Sequence, residues 1–347
     1  MSPKARIPGF SIVICTYNGK ERLQRTFEHI QRLTIPANTQ VELVVVDNRS
    51  TDGTAAYIRD YFESKDSQIE IKILTEAKPG KPYALEKAFN QVSYSHTLTC
   101  DDDNWLDSNY LMVAKHLIDE HKNLGIIGGK VEAVFEADVP DWFDLVKDAY
   151  VVGEQAKEAG FFDQFTDFVW GAGMILNMEV WDKLRAIDYS FVIGKNIGKA
   201  VGEDSELSLL TKYLGYRFYY DDRLLLKHFM PEKRMKWTVA TSYYQGFGST
   251  KPYFILYKNI YKKGRELTFI ELEREILRLM IYTSKQLRSF KKRTNNSNDP
   301  ALALEYELFK AYRNEVMSPV KFRRNASIIN RFMGRFYKLY DKPQACP

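Results

Sequence analysis

The start of the chain leaves few folds open. Phe10-Ser-Ile-Val-Ile-Cys-Thr16 and Val41-Glu-Leu-Val-Val-Val-Asp47 are almost uninterrupted apolar runs rich in β-branched residues. They read as strands, the first of them buried, as in parallel sheets. Between them, Lys20–Leu33 carries Leu23, Phe27, Ile30 and Leu33 at helical spacing. A second helix is expected after Asn48–Thr54, capped by Thr51 or Asp52 and ending near Ser64. A third strand, Ile69–Leu74, a turn at Lys78–Pro82, a third helix over Tyr83–Val92 and a fourth strand ending at Asp101 follow. Alternating strands and helices imply an α/β fold with a mostly parallel central sheet, flanking helices and right-handed crossovers. Such sheets bind ligands outside the carboxyl ends of their strands.

Polar residues gather at those ends: Thr16, Tyr17 and Asn18, then Asp47, Asn48, Ser50 and Asp52, then Lys81, then Asp101–Asn104. Neither GxGxxG nor GxxxxGK[ST] is present, which argues against a classical dinucleotide fold and a P-loop enzyme. Asp47 is suited to accept hydrogen bonds from a base or ribose, or to make an Asx-turn. Asp101-Asp102-Asp103 concentrates three like charges. A solvated acidic turn tolerates that arrangement; at a buried strand end it calls for a cation, most economically a divalent metal shared with a phosphate-bearing substrate.

Further along, Asn123–Val134 reads as two short strands around Gly128-Gly129, and Pro140–Gly160 as helical. In Phe168-Val-Trp-Gly-Ala-Gly-Met-Ile-Leu176, Gly171 and Gly173 allow a close backbone approach to a ligand, or a tight strand turn. Glu203-Asp204 precedes a helix with Leu207, Leu210 and Leu214 on one side and a stop at Gly215. Tyr216–Tyr220 and Leu224–His228 read as separate strands. His228 is either structural or a metal or diphosphate contact, and Arg234 with Lys233 could clamp phosphate.

Four stretches together resemble the family 2 inverting glycosyltransferases of GT-A fold: Ser11–Asn18, Val44–Thr54, Gly80–Ala88 and Asp101–Leu106. The resemblance covers roughly residues 10–220. It implies that Thr16, Tyr17 and Asn18 line the nucleotide pocket, that Asp47 reads the base, usually uracil, and that Lys81 lies near the base or diphosphate. Asp101 and Asp103 match the family's Asp-x-Asp, with Asp101 on the ribose or a metal-bound water and Asp103 on Mn²⁺ or Mg²⁺; Asp102 is the variable middle residue. Trp170 and Gly171 would lie against the sugars. Inverting transfer needs a second, separate carboxylate as base. Glu203-Asp204 match the family's Glu-Asp pair, with Asp204 the base and Glu203 on the acceptor or a loop. Glu86 stands where Asn is common, and Gln245 is followed by Gly-Phe-Gly rather than the Gln-x-x-Arg-Trp of processive members. A single-sugar transfer is expected, from a UDP-linked nucleotide-sugar donor to a saccharide or lipid-linked acceptor of cell-surface polysaccharide or glycolipid synthesis.

The formal net charge of +5 hides an asymmetry. Residues 251–347 hold 21 Lys and Arg against 9 Asp and Glu, a net charge of +12. The expected organisation is a donor-binding and catalytic domain over 1–250 and a basic, aromatic-rich helical tail over 251–347. Its expected helices are Leu267–Phe290, Ala301–Asn314 and Ser327–Tyr340, the last with Arg331, Arg335 and Lys338 beside Phe332, Phe336 and Tyr337. Basic helices of this kind lie on anionic membranes, pack on their own domain or form homodimers; nucleic acid is the less expected partner. Cys15, Cys100 and Cys346 form no CxxC and no even framework, which suggests a reduced compartment. The first eight residues carry no signal-peptide pattern. A cytoplasmic protein, peripheral on the inner face of the plasma membrane, is the expectation. A sugar-phosphate nucleotidyltransferase and a non-catalytic nucleotide- or sugar-binding module are the rivals. The first should show a Gly-rich, Arg-containing loop after the first strand; the intact Glu203-Asp204 pair argues against the second.

Overall fold

The computed structural model describes residues 6–63, 69–163, 166, 168–195, 202–294 and 297–340. Ser64, Val201, Asn295 and Cys346 lie outside them. The chain divides into two compact units, each assembled from separated segments. The first comprises Met1–Ala137, Val151–Ala186 and Leu207–Pro231, the second Asp138–Tyr150, Ile187–Glu206 and Glu232–Pro347.

The first unit is built on one sheet. Strands β1 (Ile7–Thr16), β2 (Gln40–Asp47), β3 (Glu70–Thr75) and β4 (Tyr94–Asp101) alternate with helices α1 (Lys20–Gln31), α2 (Thr54–Glu63) and α3 (Lys81–Gln91). These four strands are parallel. β1 and β2 are buried along most of their length, as runs without polar alternation must be. Leu23, Phe27 and Ile30, predicted from spacing alone, are the buried face of α1. Asp52 accepts hydrogen bonds from the Thr54 N–H and hydroxyl, in keeping with its expected capping role.

Beyond β4 the sheet becomes mixed. The remaining strands are β5 (Asn104–Leu106), β6 (Leu124–Phe135), β7 (Gly160–Phe161), β8 (Ile175–Asn177) and β9 (Arg217–Met230), with α4 (Tyr110–Glu120) and α5 (Met178–Arg185). The order is β3-β2-β1-β4-β8-β6-β9-β5, with β7 also on β9. β8 runs antiparallel to both β4 and β6. Two expected strand pairs prove to be single long strands. Leu124–Val134 lies on one strand, β6, with a register shift at Gly128/Lys130, and Arg217–His228 lies within β9. The two pair in parallel on either side of the shift, so the irregularity bends a strand instead of ending it. Pro140–Gly160 is not a helix; it holds two short 3₁₀ turns, Phe143–Leu145 and Lys147–Tyr150.

In the second unit, α7 (Trp237–Lys263), α8 (Phe269–Thr294), α9 (Pro300–Val316) and α10 (Pro319–Leu339) are long helices. Helix α6 (Glu203–Tyr213) starts in this unit and continues into the first. Gly246 and Gly248 do not interrupt α7. A Cβ on Gly248 would meet the Leu308 carbonyl oxygen at 2.1 Å, so the glycine lets α7 and α9 pack backbone to backbone. Buried polar ties hold the helices in register. Glu315 accepts from the Tyr253 hydroxyl at 2.5 Å and from Lys321 at 2.9 Å, and Asn330 brackets the Leu267 backbone. The aromatic residues expected on a membrane-facing last helix are used internally, because Phe332 and Phe336 are buried in this unit. No helix among the described residues is long and apolar enough to cross a membrane.

Glu42 is a fully buried carboxylate on β2, and the first unit surrounds it with donors: Ser11 Oγ at 2.6 Å, Lys72 Nζ at 2.5 Å and the Ser93 N–H at 2.5 Å. Burial alone would raise its pKa. The hydrogen bonds from Lys72, Ser11 and Ser93 outweigh that and leave it below its ordinary value. A carboxylate lowered on folding contributes stability at neutral pH that is lost as pH falls through the folded value. Lys72→Met is expected to cost about 2–4 kcal/mol in urea unfolding at pH 7, because one partner of a buried pair is left alone. The deficit should shrink as acidification carries the pH below the ordinary carboxylate range and protonates Glu42; a deficit that does not change with pH would refute this account.

Candidate active site

The ends of β1, β2 and β4 form a polar rim in the first unit. Thr16 closes β1, and its hydroxyl donates to Asp102 Oδ2 at 2.6 Å. Tyr17 follows, largely exposed. Asn18 adopts a left-handed φ of 49°, which Asn tolerates better than most residues. Its Oδ1 accepts from the Thr51 N–H at 2.8 Å and its own N–H donates to Ser50 Oγ at 2.9 Å. The loops after β1 and β2 are thereby stapled. Asp47, buried at the end of β2, accepts from the Ser50 N–H at 3.2 Å. Asn48 holds the next loop: its amide donates to the Glu76 and Lys78 carbonyls, and its oxygen accepts from the Gly80 N–H at 2.7 Å. That loop delivers Lys81 to the first turn of α3, where its ammonium meets Asp101 Oδ1 at 2.5 Å.

The three aspartates take different tasks. Asp101, the last residue of β4, keeps about a third of its side chain exposed while paired with Lys81. Asp102 turns inward. Arg22 of α1 grips both its oxygens, Nε to Oδ1 at 2.9 Å and Nη2 to Oδ2 at 2.8 Å, and Thr26 donates to its backbone carbonyl. Burial pushes the Asp102 carboxyl up despite the Arg22 hydrogen bonds, and the neighbouring Asp103 charge adds to the rise. Asp103 faces His228, with Oδ1 and Nε2 3.4 Å apart and both side chains largely buried. The two meet because Asn104 on β5 is the register partner of His228 on β9, and the Phe229 N–H donates to the Asp103 carbonyl. Asn104 completes the turn by accepting from the Asp101 N–H and donating to Asp103 Oδ1.

Trp170 and Gly171 join the same rim. The Trp170 N–H is held by Gln155, and the turn 171–174 is bonded to Thr99, two residues before Asp101. Gly173 has φ 71°, and a Cβ there would strike Leu226 and the Tyr110 hydroxyl at 2.5 Å. Tyr110 donates to the Gly173 carbonyl at 2.7 Å, fixing the turn.

In the second unit, Glu203 opens α6 and is buried, and Asp204 Oδ1 accepts from the Ser205 N–H at 2.7 Å. Glu206 is fully buried. It accepts from the Val192 and Ile193 N–H groups and from the Tyr257 hydroxyl, so it anchors the start of α6 to α7 and to the preceding loop. Arg234 lies in a 3₁₀ turn, donates to the Tyr243 hydroxyl at 3.1 Å, and its carbonyl accepts from Tyr150.

Sequence reasoning does not single out Arg22, Thr26 or Glu206. An arginine in the first turn of a helix looks like any solvated cation, and only the fold brings it to Asp102. As for a metal, Asp103 and Asp101 carry the kind of hard oxygen that Mn²⁺ and Mg²⁺ take, and His228 an imidazole. Among the described residues no group of three or more His, Cys, Asp or Glu is placed to hold a metal ion, so Asp101, Asp103 and His228 form no ready-made cage.

Removing Arg22 leaves a buried carboxylate without its cation. Arg22→Met is expected to destabilise the protein by about 3–5 kcal/mol at pH 7 in denaturant unfolding. Acidification should narrow that loss, because protonated Asp102 needs no cation. A cost under about 0.5 kcal/mol would show that Arg22 is not what holds the motif.

Known proteins share this chain's family and fold. The family model described as Glycosyl transferase family 2 matches residues 11–184, half of the chain. Poly(ribitol-phosphate) β-N-acetylglucosaminyltransferase TarS of Staphylococcus aureus is 27% identical over 140 residues, which cover 38% of this chain and 24% of TarS. Undecaprenyl-phosphate 4-deoxy-4-formamido-L-arabinose transferase of Proteus mirabilis is 28% identical over 103 residues, 30% of this chain and 31% of that one. The matches therefore span about a quarter to a third of these relatives. Among solved structures, S. aureus TarS residues 1–349 with UDP-GlcNAc superposes with a TM-score of 0.51 at 16% identity, covering 91% of this chain and 92% of that one. The mannosyltransferase PcManGT of Pyrobaculum calidifontis, with GDP-Man and Mn²⁺, gives 0.53 at 16%, covering 95% and 88%. By the stretch that the family model matches, the chain belongs to glycosyltransferase family 2.

Proposed function

We propose that this chain is an inverting glycosyltransferase that moves one sugar from a UDP-linked donor to a saccharide or lipid-linked acceptor. The observation that carries the reading is the division of labour in Asp101–Asp103. The middle carboxylate is neutralised from within by Arg22, and the outer two are held at the strand-end rim with Lys81 and His228. TarS, solved with UDP-GlcNAc, and PcManGT, solved with GDP-Man and Mn²⁺, support a nucleotide-sugar donor for a fold of this kind.

In this reading the base and ribose lie against Thr16–Asn18 and Asp47, whose loops are already tied together. Lys81 exchanges part of its contact with Asp101 for the donor's diphosphate. Trp170 offers a ring face to a sugar, and Arg234 a guanidinium to phosphate. A divalent ion would be held by Asp103, with Asp101 and His228 beside it, and would neutralise charge on the departing diphosphate. Asp204 accepts the proton of the acceptor hydroxyl as its oxygen bonds to the anomeric carbon, and the bond to the diphosphate oxygen breaks on the opposite face. The Ser205 N–H fixes one Asp204 oxygen for that task. Glu203, one residue earlier, contacts the acceptor or its loop. A cytoplasmic setting, where nucleotide-sugars are made, follows from the same reading.

Calorimetric titration with UDP, GDP, dTDP and NAD, each with Mn²⁺ and with EDTA, tests the donor site. UDP binding is expected to require Mn²⁺ and to vanish in Asp103→Ala. Metal-dependent GDP or dTDP binding would keep the enzyme class and change the donor; no nucleotide binding would end the reading. Asp204→Asn should bind donor normally and lose about 10²–10⁴-fold in turnover. Equal turnover would remove Asp204 as the base.

A further inference from the structure

Helix α8 presents two unlike faces. Leu272, Ile276, Leu279, Thr283 and Phe290 are its buried side. On the opposite side Ile270, Leu277 and Ile281 fall within about 40° of one another at helical spacing. They are 63%, 55% and 63% exposed, and Phe269 before them is 77% exposed. Such side chains in line on a solvent-facing helix are costly unless something covers them.

Charge says what covers them. Arg274, Arg278, Lys285 and Arg288 flank or extend the stripe, and the helix closes on Lys291-Lys292-Arg293, all exposed. The three acids of the helix are only partly exposed and engaged by neighbours in the unit: Glu271 by Arg265, Glu273 by Arg323 and Glu275 by Asn259. Every exposed charged side chain of α8 is therefore cationic. An aliphatic stripe edged by cations matches the boundary between lipid acyl chains and anionic headgroups. A second copy meeting this face would set cations against cations, and a nucleic acid would leave the aliphatic stripe without a counterpart.

We propose that α8 docks the protein on an anionic lipid surface, with Ile270, Leu277 and Ile281 entering the acyl boundary and the cations on lipid phosphates. This moves the membrane contact from α10, whose Phe332 and Phe336 are buried, to α8. It stands on the helix face alone, independent of the transferase reading.

The test is co-sedimentation of the full chain with vesicles of phosphatidylcholine alone or with about one-third phosphatidylglycerol. The wild-type chain should bind the anionic vesicles at least tenfold more tightly. Leu277→Asp/Ile281→Asp and, separately, Arg274→Glu/Lys285→Glu should each lose about tenfold or more, since one cation near such a surface is worth roughly fivefold. All four positions are exposed, and unchanged thermal unfolding checks that the fold is kept. Equal affinity for both vesicle types, or variants that bind like wild type, would overturn the proposal. So would a dimer by light scattering that dissociates in Leu277→Asp/Ile281→Asp, which would give the face to a second copy.

Discussion

A carboxylate in the middle of three must find a cation or give up its charge, and the first unit is arranged so that Asp102 finds one. Arg22 reaches both Asp102 oxygens from α1, and Thr16 and Thr26 add hydrogen bonds to its side chain and backbone. With the middle charge satisfied internally, the backbone on either side is fixed in direction. Asp101 can meet Lys81 and Asp103 can meet His228 without all three repelling across one patch of solvent. The pairing also links β1, α1 and β4, because Thr16 ends the first, Arg22 lies in the first turn of the second and Asp102 follows the third.

The same economy governs the loops. Asn18 and Asn48 are side chains that act as backbone, each closing hydrogen bonds that a longer loop would leave to water. Together they connect the ends of β1 and β2 to the approach to α3. The polar rim is thus a set of short, mutually bonded turns on a rigid sheet. Such an arrangement holds donor groups in place at little cost in ordering when a ligand arrives.

Much of this was legible in the residues. Uninterrupted apolar runs separated by helical periods can hardly form anything but the parallel block β1–β4. The polar ends of those strands marked the rim, and Thr16, Asp47, Lys81 and Asp101 stand there. What could not be read was long-range. Nothing local in Arg22 distinguishes it from a solvated arginine. Gly128-Gly129 looked like a turn because a glycine pair signals one, yet the β6–β9 pairing carries the strand through a register shift. The glycines of α7 have no local reason in the sequence, because only the approach of α9 explains Gly248. Phe332 and Phe336 looked membrane-seeking because amphipathicity does not say what covers a helix.

The placement of β8 has a consequence for how the chain reaches this state. Only three residues, Ile175–Asn177, bridge β4 to β6 in the middle of the sheet. The block β1–β4 is complete by residue 101 and its contacts are comparatively local, so it can collapse as soon as it is synthesised. The rest of the sheet must wait for β8, and β6 must wait still longer for β9. During that interval β4 presents an unpaired edge that begins at Tyr94 and ends at the acidic triplet. The charges proposed to serve the donor site in the finished protein would also discourage that edge from pairing with another chain while the protein is being made.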